Sequence, residues 1–319
     1  MAIAQHFLYS AKARSLSLAQ IFRLSDDEAY DLLKSMRWEG GKPVCPHCGN
    51  CEAYEIKTRR IFTCKARECR MQFSLTSGTI FASHKLPLRD YLAAIAIFVN
   101  GAKGVSALHL GRDLNISYKS AFVLGHKLRE AMAADEIETL SGTVEIDGSY
   151  YGGFVRQPNL KFERVNLTFR EHKSGLRKSV VVLRERKGRT ATQVFRHEAD
   201  SIPFILSRVA ETAIVHTDEA RGWDQLHDHY AMKRVNHSKA YSLVGCTNQA
   251  ESFFSRLRRA EIGTHHYISG PYLDRYAAEM AWREDHRRKD NGEQFRCVAT
   301  LALATAKSDR FARYWQRAA

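Results

Sequence analysis

The sequence predicts an α/β protein whose second half folds around a mixed sheet, preceded by a cysteine-bounded hairpin and a run of helices. Three observations carry that expectation. From residue 143 onward, short runs rich in Val and Ile alternate with segments of helical period. Between residues 86 and 134 the apolar residues recur at helical spacing. Five of the seven cysteines fall between Cys45 and Cys69.

Taken in order, residues 1–40 form an N-terminal helical segment. Ile21, Phe22 and Leu24 make one apolar stripe; Ser25-Asp26-Asp27-Glu28 has capping-box spacing and opens a second helix carrying Tyr30, Leu32, Leu33 and Met36. Gly40-Gly41-Lys42-Pro43 ends it. Residues 41–80 hold the cysteines, as the pairs Cys45/Cys48 and Cys64/Cys69, with Tyr54, Ile56, Ile61 and Phe62 forming a hairpin between them and Phe73 behind it. Two tight turns presenting four soft ligands suit tetrahedral Zn²⁺, and four protein ligands leave no open position, so the zinc is structural. His47 and Cys51 are spare ligands, while Cys246 and Cys297 read as core residues. Clustered cysteines, rather than evenly spread ones, point to a reducing compartment.

Residues 84–138 read as a helix-turn-helix region. Gly104 to Leu114 and Tyr118 to Arg129 are helices joined at Asn115-Ile116-Ser117, and Ser117, Tyr118 and Lys119 stand where a recognition helix meets DNA. Residues 139–319 form the α/β domain, with a basic, turn-rich insertion at 155–179 that includes Arg156.

The chemistry lies in two stretches that set an aspartate beside a buried strand, Val144-Glu145-Ile146-Asp147-Gly148 and Ile214-Val215-His216-Thr217-Asp218. A carboxylate next to a packed core needs compensation, and a divalent cation supplies it. Glu145 and Asp147 share a strand face by alternation. Asn248, Glu251 and Arg258 fall on one side of a basic helix that also carries Arg256 and Arg259. Lys and Arg number 49 against 35 Asp and Glu, a net charge of +14, which suits a polyanionic partner. The longest apolar run, Tyr91 to Val99, falls well short of the ~20 residues that span a bilayer.

The stretches VEIDGSYYGG, IVHTDEARGW, VNHSKAYS and TNQAESFFSRLRRAEIGTHHYISG, with the upstream CPHCGN…FTC…CRMQFSLTSGTIF, resemble the zinc-ribbon DDE transposases of bacterial insertion sequences, the ISXO-type group, over about residues 25–290. The resemblance implies an RNase H-like catalytic domain with mixed sheet, with Asp147 on its first strand, Asp218 on its fourth and Glu251 on a following helix. It implies Mg²⁺ or Mn²⁺ on those three acids, and Arg258 matches a basic position of the family. DNA, as element ends and target, is the implied partner; synapsis implies a homo-oligomer, with a cytoplasmic, nucleoid-associated location. Some relatives carry asparagine third, so Asn248 stands as a rival or helper to Glu251, and Glu261 as a weaker rival. The second cysteine pair is two residues longer than usual in the group. A DNA-binding regulator without catalysis, or an RNase H-like nuclease, would share part of this pattern.

Overall fold

The computed structural model describes residues 7–135, 138–152, 157–166, 176–235, 247–311 and 314. They fall into two compact units, residues 1–135 with 286–319, and residues 136–285.

In the first unit, α1 (Leu18–Phe22) and α2 (Asp26–Arg37) each open with a full capping box, at Ser17/Gln20 and Ser25/Glu28. A three-stranded antiparallel sheet follows: β1 (Ala53–Ile56), β2 (Ile61–Cys64) and β3 (Gln72–Ser74). Phe62 stacks on Phe73 at 5.4 Å, and Trp38 meets Phe62 edge-on at 5.3 Å, so the sheet rests on an aromatic core. Each such pair contributes about 0.5–1.5 kcal/mol beyond its burial. α3 (Leu88–Asn100) is buried from Leu92 to Val99. A helix apolar all round must be enclosed by neighbours. α4 (Ala107–Asp113) and α5 (Tyr118–Ala133) are joined by a short turn through Asn115, whose φ is +51°. A Cβ on Gly111 would meet the Ile116 carbonyl at 3.2 Å and the Ala121 Cβ at 3.4 Å, so the two helices close on each other there.

The second unit is built on a five-stranded sheet. β4 (Thr143–Tyr151), β5 (Lys178–Glu185) and β6 (Thr190–Phe195) pair antiparallel in sequence; then α6 (Ile202–Arg208) leads to β7 (Ile214–Asp218) and β8 (Ala231–Val235), which run parallel to β4. The order is β6-β5-β4-β7-β8, with the unit's first strand in the middle. That is the mixed α/β arrangement expected. Val144, Ile146, Val181 and Leu183 pack with α6, Trp223 and Leu226 on one face. On the other face Val180 and Val182 pack with α7 (Asn248–Ala260) and α8 (Leu273–His286).

One boundary differs from expectation. The α/β domain was expected to run to residue 319, but residues 286–319 belong to the first unit. In α9 (Asn291–Ala304), Phe295, Val298, Ala299, Ala302 and Leu303 form a buried stripe. The Asn291 side chain accepts from the Ser15 and Leu16 amides and donates to the Leu16 carbonyl, and the Ile80 amide donates to the Thr305 carbonyl. A helical pattern marks an apolar face but not what covers it. No described helix is long and apolar enough to cross a membrane.

Candidate active site

β4 and β7 lie parallel with Glu145 opposite His216. Carried two residues on, that register sets Asp147 beside Asp218 where the ladder ends. Alternation turns Tyr151 to the α7 face and Val144 and Ile146 to the other. Asp147 is partly buried, and its Oδ1 accepts from the Gly148 amide at 2.8 Å. Burial pushes its carboxyl up to about 7; the Gly148 bond opposes this, and the charges of Asp218, Glu251 and Glu198 add to it. The three acids expected to act together are thus brought within electrostatic reach.

Asp218 is held from the α6 side. Its Oδ1 accepts from the Trp223 indole at 2.8 Å and from the Ala220 amide at 3.1 Å. Trp223 therefore both anchors the core and orients Asp218. Glu251 stands exposed in the first turn of α7, where the Thr247 hydroxyl approaches it at 3.4 Å. Asn248 shares with it an open cleft of about 450 Å³, lined also by Ser252, Ser255, Arg256 and Arg259. Glu261, the weaker rival, lies past the end of α7, and its carboxyl is raised by burial.

Arg258 donates to the Ser149 hydroxyl at 2.6 Å, so β4 holds its guanidinium. Arg256 is engaged by Glu284, whereas Arg259 is exposed. Arg156, His237 and Cys246 lie outside the described residues.

Sequence reasoning missed Glu198. It opens the turn before α6, half-buried, with Oε1 3.5 Å from the Ser179 hydroxyl. A Cβ on Gly148 would fall 2.6 Å from that oxygen, so glycine after Asp147 makes room for it. Burial raises the Glu198 carboxyl, and Asp218 raises it further. No spacing in the chain marks this acid; only Gly148 hints at a close approach.

Two aspartates with no paired cation among the described residues, joined by further acids, offer the hard oxygen donors a divalent cation takes. The residues fit Mg²⁺ or Mn²⁺. Their oxygens do not form a closed cage: among the described residues only Cys45, Cys48, Cys64 and Cys69 bring three or more ligand atoms within 4.8 Å of one another.

Those four sulfurs form a cluster that could hold a metal ion. Cys45 and Cys69 are 3.8 Å apart, Cys48 and Cys64 3.5 Å. Ligands on a tetrahedral zinc with Zn–S of about 2.3 Å stand about 3.8 Å from one another, so the set fits zinc. The longer second pair is taken up by a turn in which Cys69 and Arg70 both donate to the Ala66 carbonyl, with Arg70 at φ +49°. Cys51 is exposed and stands apart from this set, as does His47.

At the start of α5, the Ser117 hydroxyl accepts from the Ser120 amide at 3.2 Å, so it caps the helix rather than reaching outward. Tyr118 and Lys119 are exposed.

Sheet order and acid placement define an RNase H-like domain of the DDE class. Residues 139–285 match the ISXO2-like transposase domain, and residues 24–72 match the transposase zinc-ribbon domain. The chain belongs to the zinc-ribbon DDE transposases. No curated protein matches it significantly.

Proposed function

We propose that this protein cuts DNA at the ends of a mobile element and joins the freed 3′-hydroxyls to target DNA, with the zinc ribbon and the α4–α5 pair binding the ends. The placement of Asp147 and Asp218 on adjacent interior strands, with Glu251 on α7 near enough for its charge to act on Asp147, carries this reading. Each strand aspartate has Oδ1 committed, to the Gly148 amide in one case and to Trp223 and Ala220 in the other, which leaves Oδ2 for a ligand. Magnesium held by these acids would polarise the scissile phosphate and activate the attacking hydroxyl. Asn248 stands as a helper beside Glu251, the third acid. Arg258, fixed by Ser149, presents a planar donor suited to a phosphate, and Arg259 adds a cation to the cleft beside Glu251. Tyr118 and Lys119 offer an aromatic edge and a charge to DNA. No serine or tyrosine nucleophile is needed, because water and the 3′-hydroxyl attack directly. Holding two ends at once requires at least a dimer on DNA.

Asp147→Asn and Asp218→Asn should each abolish strand cleavage of an end-bearing duplex while sparing its binding in a mobility-shift assay. Unchanged cleavage in either variant would remove this mechanism. Strand-transfer products from a pre-cleaved end would separate a transposase from a plain nuclease.

A further inference from the structure

One buried acid of the second unit has no part in the mechanism above. Glu145 is fully buried, two residues before Asp147 on β4 and on the same strand face. Its Oε2 accepts from the Gln249 amide at 2.8 Å and the Ala250 amide at 3.2 Å, the second and third residues of α7. Its Oε1 accepts from Arg186 Nε at 2.8 Å. Arg186 in turn reaches His216 Nδ1 at 3.2 Å, and His216 stands two residues before Asp218, in register with Glu145.

We propose that Glu145 is a positioning residue: it fastens the first turn of α7 to β4 and so sets where Glu251 stands relative to Asp147 and Asp218. This rests on the metal reading given above. The first amides of a helix have no intrahelical partner and carry partial positive charge, so a carboxylate aimed at two of them is held strongly. The usual local device is absent, since Thr247, at the N-cap position, makes no side-chain cap hydrogen bond. A local cap would finish the helix but leave its placement on the sheet free. A cap supplied from β4 ties the helix to the strand that carries Asp147, and Glu251 follows the second capped amide directly. Arg186 extends the tie to β7. The elements bearing the three acids therefore meet at one Glu–Arg–His cluster, a single strand step, about 7 Å, from the acids. The burial of Glu145 is compensated by one cation and two amides, so the cluster has a defined geometry rather than a loose charge.

The test uses the full-length chain with Glu145→Gln, which keeps the volume and one acceptor, and Glu145→Ala. Four quantities are measured: amide exchange at Gln249, Ala250 and Glu251; Mn²⁺ binding by titration; affinity for end DNA; and cleavage rate at saturating DNA. In Glu145→Gln, exchange in the first turn of α7 should quicken. Mn²⁺ affinity and cleavage should both fall by about 10- to 100-fold, the loss typical when a metal ligand's support is removed. DNA affinity and zinc content should stay at wild-type values, and Glu145→Ala should move the same readouts further. Unchanged exchange overturns the proposal. So does wild-type Mn²⁺ affinity measured below the melting temperature, even if that temperature drops, because Glu145 is then only structural. If Glu145→Ala does not fold, Glu145→Gln decides. Wild-type protein that takes up no Mn²⁺ overturns the metal reading of the site, and this role with it, whatever the variants do.

Discussion

At the scale of single residues, the two strand aspartates are prepared unequally. Asp218 has a fixed orientation, tied by an indole and an amide, while Asp147 carries the electrostatic burden of burial and three neighbouring acids. Its folded-state carboxyl, at about 7, lies above the ordinary value of 3.8. A raised acid binds its proton more tightly in the folded state, so its contribution to stability is full below pH 3.8 and fades as pH rises through about 7. A divalent cation favours the ionised form and reverses that loss. The rise in melting temperature on adding Mg²⁺ should therefore be larger near about pH 8 than near about pH 5; an equal rise at both would mean the ion binds elsewhere. Asp147→Asn should remove most of this pH-dependent rise along with cleavage, the latter falling by about a thousandfold or more. Glu198→Gln removes one like charge and should lower the Asp147 carboxyl, read from its carbon resonance during titration.

At the scale of elements, the zinc ribbon and α5 show local chemistry fixing local shape. Hydrogen bonds from the His47 and Cys48 amides hold the Cys45 thiol at about 7 against the effect of burial, whereas burial pushes Cys64 up to about 12. Zinc must displace the remaining protons, so its affinity falls as pH drops. Chelation should speed amide exchange throughout β1, β2 and β3 and unstack Phe62 from Phe73, with α7 unaffected. Persistence of β2 protection after zinc loss would show that the aromatic core suffices. For α5, Ser117→Ala should cost about 1 kcal/mol through the lost cap. Lys119→Ala should instead weaken end binding and flatten its salt dependence, with little effect on melting.

At the scale of the whole molecule, the chain leaves its first unit after residue 135 and returns at 286. The return is structural: α9 packs its apolar stripe among the N-terminal helices, and Asn291 bonds the segment at Ser15 and Leu16. Deleting residues 286–319 should expose that core and make the zinc-bearing unit aggregate or lose cooperative melting. A fragment of residues 136–285, which nearly coincides with the matched transposase domain, should keep its sheet by circular dichroism. Cooperative melting of the truncated first unit at the full-length temperature would contradict this division.

Much of this was legible in order along the chain. Capping boxes at Ser25, the hairpin between cysteine pairs, the turn at Asn115 and the alternation that puts Glu145 and Asp147 on one face are all local. Period, cap chemistry and strand alternation depend on neighbours in sequence, so residue types alone announce them. What the sequence could not decide were contacts between distant segments. These include the arrival of Glu198 beside Gly148, the reach of Glu145 to the first amides of α7, the engagement of Arg256 by Glu284, and the return of α9. The sequence by itself determined which acids and thiols this protein carries and the strands and helices that bear them. Only the tertiary structure decided which of those groups share one electrostatic neighbourhood, because through-space distance depends on how the elements pack, and no periodicity records that.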